Sequence, residues 1–211
     1  MKCSGKRFDK VVYDTNTILY YCFNHQEKIR GKSVPCRVIE FTHKSLRCTQ
    51  YFINSEIAIE TIKKVIDEIF QKGVAKIVDE YCDNIHTKDL MGINRSRDVP
   101  HAIKLRLYKK TEEKINQLKI KPWFSVVDYN INSNNLETIK VFFKSLESTP
   151  KMIAHMIEKK RSVPWPSDVD MLLLSYSKEN NAPILTNDKD FTNFVEELEN
   201  EGLCFGIIGL N

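Results

Sequence analysis

Glycine and proline are scarce in this chain of 211 residues, at 7 each, and neither an internal repeat nor a low-complexity segment is present. That excludes collagen-like, Gly/Pro-rich disordered and repeat architectures. No apolar run approaches the roughly 20 residues needed to span a bilayer. The opening residues MKCSGKRFDK hold no apolar core of the secretory kind. The expectation is a soluble, cytoplasmic protein with no membrane partner. The cysteines stand apart, at 3, 22, 36, 48, 82 and 204, without a CxxC pair. A zinc site is therefore not expected, and free thiols are. Neither GxxxxGK nor GxGxxG occurs, which removes the usual phosphate loop and dinucleotide fingerprint. No histidine, serine or cysteine stands in a nucleophile motif, and the lone His25 and His43 read as surface residues.

What is present is a composition 42% hydrophobic, enough for a real core at this length and consistent with one domain. The net charge of +4 is mild, but its distribution is uneven. Between Arg95 and Lys121 the basic residues, Lys104, Arg106, Lys109 and Lys110 among them, are opposed only by Asp98, Glu112 and Glu113. Such a stretch can contact a phosphate backbone, and it equally suits a solvated helix face laced with ion pairs.

Periodicity and punctuation divide the chain into alternating elements. Lys10–Tyr13 reads as a strand ending at Asp14, followed by Thr15-Asn16-Thr17 and a helix over 18–23. CRVIEF and CTQYFIN read as two strands. Asn54–Lys72 reads as a helix with the stripe Ala58, Ile62, Val65, Ile66 and Ile69. On that helix Glu60 points off the stripe, either to solvent beside Lys63 or Lys64 or into a groove beside the core. Helices follow over 76–86, 100–119, 135–146 and 150–160, with strands over 123–128, 182–185 and 203–208. Trp123 and Trp165 read as core or rim aromatics.

The stretch Pro166–Phe191, PSDVDMLLLSYSKENNAPILTNDKDF, concentrates the chemistry. Ser167-x-x-Asp170 resembles a capping box at the start of a helix that carries Leu172, Leu173 and Tyr176 on one face. Thr186-Asn187-Asp188 stands at the carboxyl end of a short strand, where ligands gather in open α/β sheets. Taken singly, each acid fits a cap or turn role. Taken together, several carboxylates without a counter-cation raise one another's pKa. The usual remedy is a hard divalent cation such as Mg²⁺ or Mn²⁺. Such ions activate water and stabilise the departing oxygen in phosphodiester cleavage.

VVYDTN, NSEIAIETI and SDVDMLLLSYSKENNAPILTNDKDF resemble the motifs of PIN-domain nucleases, over roughly residues 8–23, 51–72 and 123–209. The resemblance implies a three-layer α/β domain with a central, mainly parallel sheet. Residues 24–50 and 80–122 then look like insertions. It implies a Mg²⁺- or Mn²⁺-dependent endoribonuclease whose catalytic and metal-holding acids are Asp14, Glu60, Asp170 and Asp188. Glu56, Asp168 and Asp190 compete for three of those places. Thr15, Asn16, Ser167, Thr186 and Asn187 would support the acids, and Lys104, Arg106, Lys109 and Lys110 would contact RNA. Similar proteins include VapBC-type toxins paired with an antitoxin and stand-alone RNA-processing nucleases, so an antitoxin or a homodimer is a possible partner. A structure-specific DNA nuclease and a PIN-like module that binds without cutting are the alternatives. A phosphoreceiver domain is disfavoured, because Asp14 has no second acid beside it.

Overall fold

A computed structural model describes residues 2–3, 5–23, 37–84 and 101–210. Five strands form one parallel sheet: β1 Lys10–Tyr13, β2 Ala58–Ile62, β3 Phe124–Val127, β4 Ile184–Thr186 and β5 Ile207–Gly209. Their spatial order is β3-β2-β1-β4-β5. A short antiparallel ribbon, Lys2–Cys3 with Lys6–Arg7, precedes the sheet. Parallel neighbours need crossovers, and helices supply them. The result is an α/β fold with helices on both faces of the sheet, as the sequence indicated.

One helical layer comprises α1 Thr15–Cys22, α2 Arg37–Asn54, α3 Lys63–Glu68, α4 Val74–Asn84 and α5 His101–Leu118, which pack on one another. A π-helical turn, Ile69–Gly73, joins α3 to α4. The other layer includes α6 Ser133–Ser145 and α8 Asp168–Asn180, which pack together. The remaining helices are α7 Pro150–Lys159, α9 Lys189–Thr192 and α10 Val195–Asn200. Buried apolar residues from Phe8 to Leu210 make one contiguous cluster, and Trp123 and Trp165 pack half-buried against it. Among the described residues no helix is long and apolar enough to cross a membrane. Cys22 and Cys48 are free thiols.

Two expectations are corrected. CRVIEF, whose Cys36 lies outside the described residues, and CTQYFIN are not strands: residues 37–41 and 48–54 belong to the single helix α2. Its buried positions are Val38, Thr42, Ser45, Thr49 and Phe52, a helical repeat in which three of five members are hydroxyl residues. Those hydroxyls are satisfied inside the layer: Thr42 donates to Val38 O at 2.7 Å, Ser45 to Thr17 O at 3.0 Å and Thr49 to Ser45 O at 2.8 Å. A polar stripe therefore faces the core, and apolar periodicity could not report it. The second correction is Asn54–Lys72, expected as one helix. The chain leaves α2 through Glu56, whose backbone is left-handed (φ 56°), and enters β2. β2 lies between β1 and β3, and Thr61 donates to Tyr13 O at 2.9 Å. Helix resumes only at Lys63. Ile62, Val65, Ile66 and Ile69 are buried as expected, while Ala58 is exposed.

The supposed insertions are partly resolved into structure. Residues 24–36 and 85–100, including Arg95, Arg97 and His25, lie outside the described residues. Residues 37–50 belong to α2, and 101–118 are α5. Both helices pack on α1 and α4 within the first layer.

Candidate functional site

The chain runs outward from β1 to β2 and β3, then returns to the other side of β1 to lay down β4. Between β1 and β4 the direction of winding reverses, and ligands of open α/β sheets bind beyond the strand ends at such a point. In register, Val12 pairs with Ile184 and Tyr13 with Leu185. Asp14 therefore emerges beside Thr186, and the acids of two distant segments meet there. A cleft of about 330 Å³ opens at this place, lined by Asp14, Glu68, Asp170, Asp188 and Asp190 and by Lys72, Lys76, Lys159 and Arg161.

Asp14 is buried at the floor. It caps α1: Oδ1 accepts the Thr17 N–H at 2.6 Å, and Oδ2 accepts the Thr186 hydroxyl at 2.5 Å. Burial pushes its pKa up to about 6 against those two bonds, with the charge of Asp188 adding to the rise. Asp170 stands in the first turn of α8, where Ser167 and Asp170 form a reciprocal capping box. The Ser167 hydroxyl donates to Asp170 Oδ2 at 2.7 Å. Asp170 keeps some contact with solvent at the cleft wall. Desolvation nevertheless raises its pKa to about 7, and Asp188, Asp190 and Asp14 push the same way. Asp168 is exposed and does not line the cleft.

Asp188 caps α9 through the Asp190 N–H at 2.9 Å. Its Oδ2 accepts from the Asn16 amide at 3.2 Å and its Oδ1 from the Lys159 ammonium at 2.7 Å. Asp190 is buried and differently surrounded. Arg161 donates to both its oxygens, at 2.5 and 2.7 Å, His155 Nε2 lies 2.8 Å away and Lys159 Nζ 3.0 Å. Burial alone would raise its pKa, but these partners overcome that and hold it at about 2. A carboxylate held so firmly is already matched by the protein.

Glu60 is not in the cleft. It sits on β2 opposite Val12, accepts the Tyr176 hydroxyl at 2.6 Å and lies 3.7 Å from Lys10 Nζ. The strand takes it to another part of the sheet. Glu68, at the end of α3, occupies the place expected of a helix glutamate. Its Oε2 accepts the Thr15 hydroxyl at 2.6 Å, and Lys72 pairs with Oε1 at 3.0 Å. Gly73 lets the π-helical turn lie close to α1: a Cβ there would lie 3.0 Å from a Leu19 methyl. The only sequence signal for Glu68 is its position in the turn of helix after β2, and it is readable only once β2 is recognised. Glu56 is exposed at the turn before β2.

Of the expected supporting residues, Thr15, Asn16, Ser167 and Thr186 each hydrogen-bond a cleft acid. Asn187 points elsewhere: its amide is 3.5 Å from the Tyr20 hydroxyl, in an adjoining cleft of about 280 Å³ that shares Asn16, Lys76, Lys159 and Asp188 with the first. Lys104, Arg106, Lys109 and Lys110 lie on α5 and line neither cleft, and Lys104 pairs with Asp79 at 2.9 Å. The basic groups beside the acids are Lys72, Lys76, Lys159 and Arg161. Sequence reading missed them because they arrive from the π-helical turn, α4 and the end of α7, without a local motif.

Comparison of the chain with protein-family models, with curated proteins and with solved structures finds no match in any of the three.

The donor set suits Mg²⁺ or Mn²⁺. Asp14, Asp170 and Asp188 offer only oxygen, the donor these ions take. Among the described residues neither Asp14 nor Asp170 is paired with a cation, their side-chain bonds coming from neutral donors. Among the described residues no three acid, histidine or cysteine side chains stand close enough to enclose an ion as they are. Mg²⁺ does not require three, since it keeps several waters and binds through one or two carboxylates together with substrate phosphates. The residues fit on that basis.

Proposed function

We propose that this chain is a divalent-cation-dependent nuclease of the PIN-like kind that hydrolyses RNA phosphodiester bonds. One observation carries the reading. Acids from three separate segments, Asp14, Asp170 and Asp188, face one cleft at the sheet's reversal point, and Lys72, Lys76 and Arg161 line the same cleft. Anionic ligands for a metal and cationic contacts for a polyanion thus stand side by side, as metal-assisted phosphodiester hydrolysis requires.

Asp14, Asp170 and Asp188 would hold the ion, with Glu68 reaching it through water. A bound ion supplies Lewis-acid chemistry, lowering the pKa of water and neutralising charge on the departing oxygen. The chain's own groups do the rest. The Thr17 N–H and the Thr186 hydroxyl fix both oxygens of Asp14, so its orientation is set before anything binds. Asn16 orients Asp188, Ser167 orients Asp170 and Thr15 orients Glu68. Such pre-set geometry lowers the cost of reaching the reactive arrangement. Lys76 lines both clefts, and Arg37 and Lys189 line the second, so a nucleic-acid backbone could pass from one to the other over cationic side chains.

The test is cleavage of end-labelled single-stranded RNA, with DNA of the same sequence and a flapped DNA duplex alongside, each with Mg²⁺, Mn²⁺ or chelator. Metal-dependent cutting of RNA, lost in Asp14→Asn, is the expected result. Cutting confined to the flapped DNA would replace the substrate, and tight RNA binding without cleavage under any metal would make the chain a binding module.

A further inference from the structure

The end of α7 delivers a lysine into the middle of an acid cluster. Lys159 is the last residue of α7, and Lys160 after it takes the left-handed conformation (φ 52°) that ends the helix. The turn lets Arg161 reach Asp190 as well. Asp190 is fully matched without Lys159, because Arg161 engages both its oxygens and His155 one of them. Asp188 is different: its remaining contacts are the Asn16 amide and the Asp190 N–H, both neutral, so the Lys159 ammonium at 2.7 Å is the cation the cleft gives it. Lys159 lines both clefts and stands where a ligand of either would meet it.

Building on the metal-dependent reading, we infer that Lys159 is the protein's own counter-cation for Asp188, one that a divalent ion must displace before the cleft is loaded. An incoming ion has to break an existing charge-assisted bond to use Asp188. Lys159 thus weakens the ion's hold and raises the metal concentration at which the cleft fills. The same bond keeps Asp188 turned toward α7, consistent with the lack of a ready-made three-acid cage among the described residues.

Calorimetric titration of Mn²⁺ into the full chain tests this, comparing the native protein with Lys159→Met, Lys159→Gln and Lys159→Arg, each first checked for cooperative unfolding. The neutral variants should bind Mn²⁺ roughly tenfold more tightly, the scale on which one adjacent charge moves a carboxylate's ionisation. Lys159→Arg keeps the cation and should stay near the native affinity. A destabilised fold would weaken binding, so tighter binding cannot arise from structural damage. If the native protein binds Mn²⁺ and the neutral variants bind it equally or more weakly, the role given to Lys159 is wrong and the metal reading survives. If none of the four proteins binds Mn²⁺, both fall.

Discussion

Asp14 and Asp190 are buried to the same degree, each 3% exposed, yet they differ about as far as two carboxylates can. Asp14 rests on a hydroxyl and a backbone N–H, and its pKa rises to about 6. Asp190 rests on a guanidinium, an imidazole and an ammonium, and its pKa falls to about 2. Burial is common to both, so the partners decide. An acid wrapped in cations belongs to the scaffold. An acid wrapped in neutral donors, near further acids, is on the proposed reading held ready for a cation from outside. The cleft contains both kinds side by side, and Asp188, with one lysine, lies between them.

The sharpest way to break that comparison is to neutralise each acid in turn. Asp14→Asn keeps a carbonyl acceptor for the Thr17 N–H, and the Thr186 hydroxyl can rotate to accept from the new amide, so unfolding free energy should change by only about 1 kcal/mol. Cleavage should fall by about a thousandfold, or about 4 kcal/mol of transition-state stabilisation. Asp190→Asn should do the reverse. It leaves the half-buried Arg161 and Lys159 without their buried counter-charge and should cost about 2–4 kcal/mol in urea unfolding, with cleavage per folded molecule far less affected than in Asp14→Asn. Equal stability losses in the two variants would erase the distinction.

A second pair separates the glutamates. Glu68→Gln should slow cleavage by roughly 10- to 100-fold if it reaches the ion through water, whereas Glu60→Gln should leave the rate within about threefold, since its partners are Tyr176 and Lys10. A larger loss in Glu60→Gln would return the role to β2.

The pH dependence of stability without metal is a third test. Asp14 and Asp170 have folded pKa values near 6 and 7 against an ordinary 3.8, so the folded state binds their protons more tightly than the unfolded state. Their contribution to stability therefore grows as pH falls from about 7 to 4, by about 1–3 kcal/mol once solvent relaxation is allowed for. Asp190 acts oppositely: its contribution is present above 3.8 and disappears as pH falls through about 2. Thermal unfolding should thus show a gain on mild acidification and a collapse in stronger acid. Mn²⁺ should remove the mild-acid gain by stabilising the protein more at pH 8 than at pH 5. A metal-free profile that only declines from pH 7 would contradict the assignment.

The smallest effects concern the two basic regions. Lys76→Ala should weaken RNA binding several-fold and lower the salt slope by about one. Lys109→Ala, on α5 and outside both clefts, should change neither.

How legible the molecule was depends on where each signal resides. Asp14, Asp170 and Asp188 are recognisable locally, because a strand end or a helix cap marks each one. Their meeting is a consequence of strand order, which the alternation of elements made plausible and sheet pairing specifies. α2 was hidden because Thr42, Ser45 and Thr49 occupy its core-facing positions. β2 was hidden because Ile62, Val65, Ile66 and Ile69 keep a helical spacing across a strand-to-helix junction. With β2 read as helix, Glu60 takes a helix position, whereas in the structure Glu60 is on the strand and Glu68 is the glutamate that lines the cleft. Lys159 and Arg161 have no local signature at all, since only the packing of α7 brings them to acids about thirty residues onward in the chain.

The most direct measurement is anomalous diffraction from a crystal of the full chain soaked in Mn²⁺. A peak bounded by Asp14, Asp170 and Asp188, and missing in Asp14→Asn crystals, is the predicted result. Clear density for those three side chains with no peak between them at saturating Mn²⁺, or a peak at Glu60 instead, would contradict it.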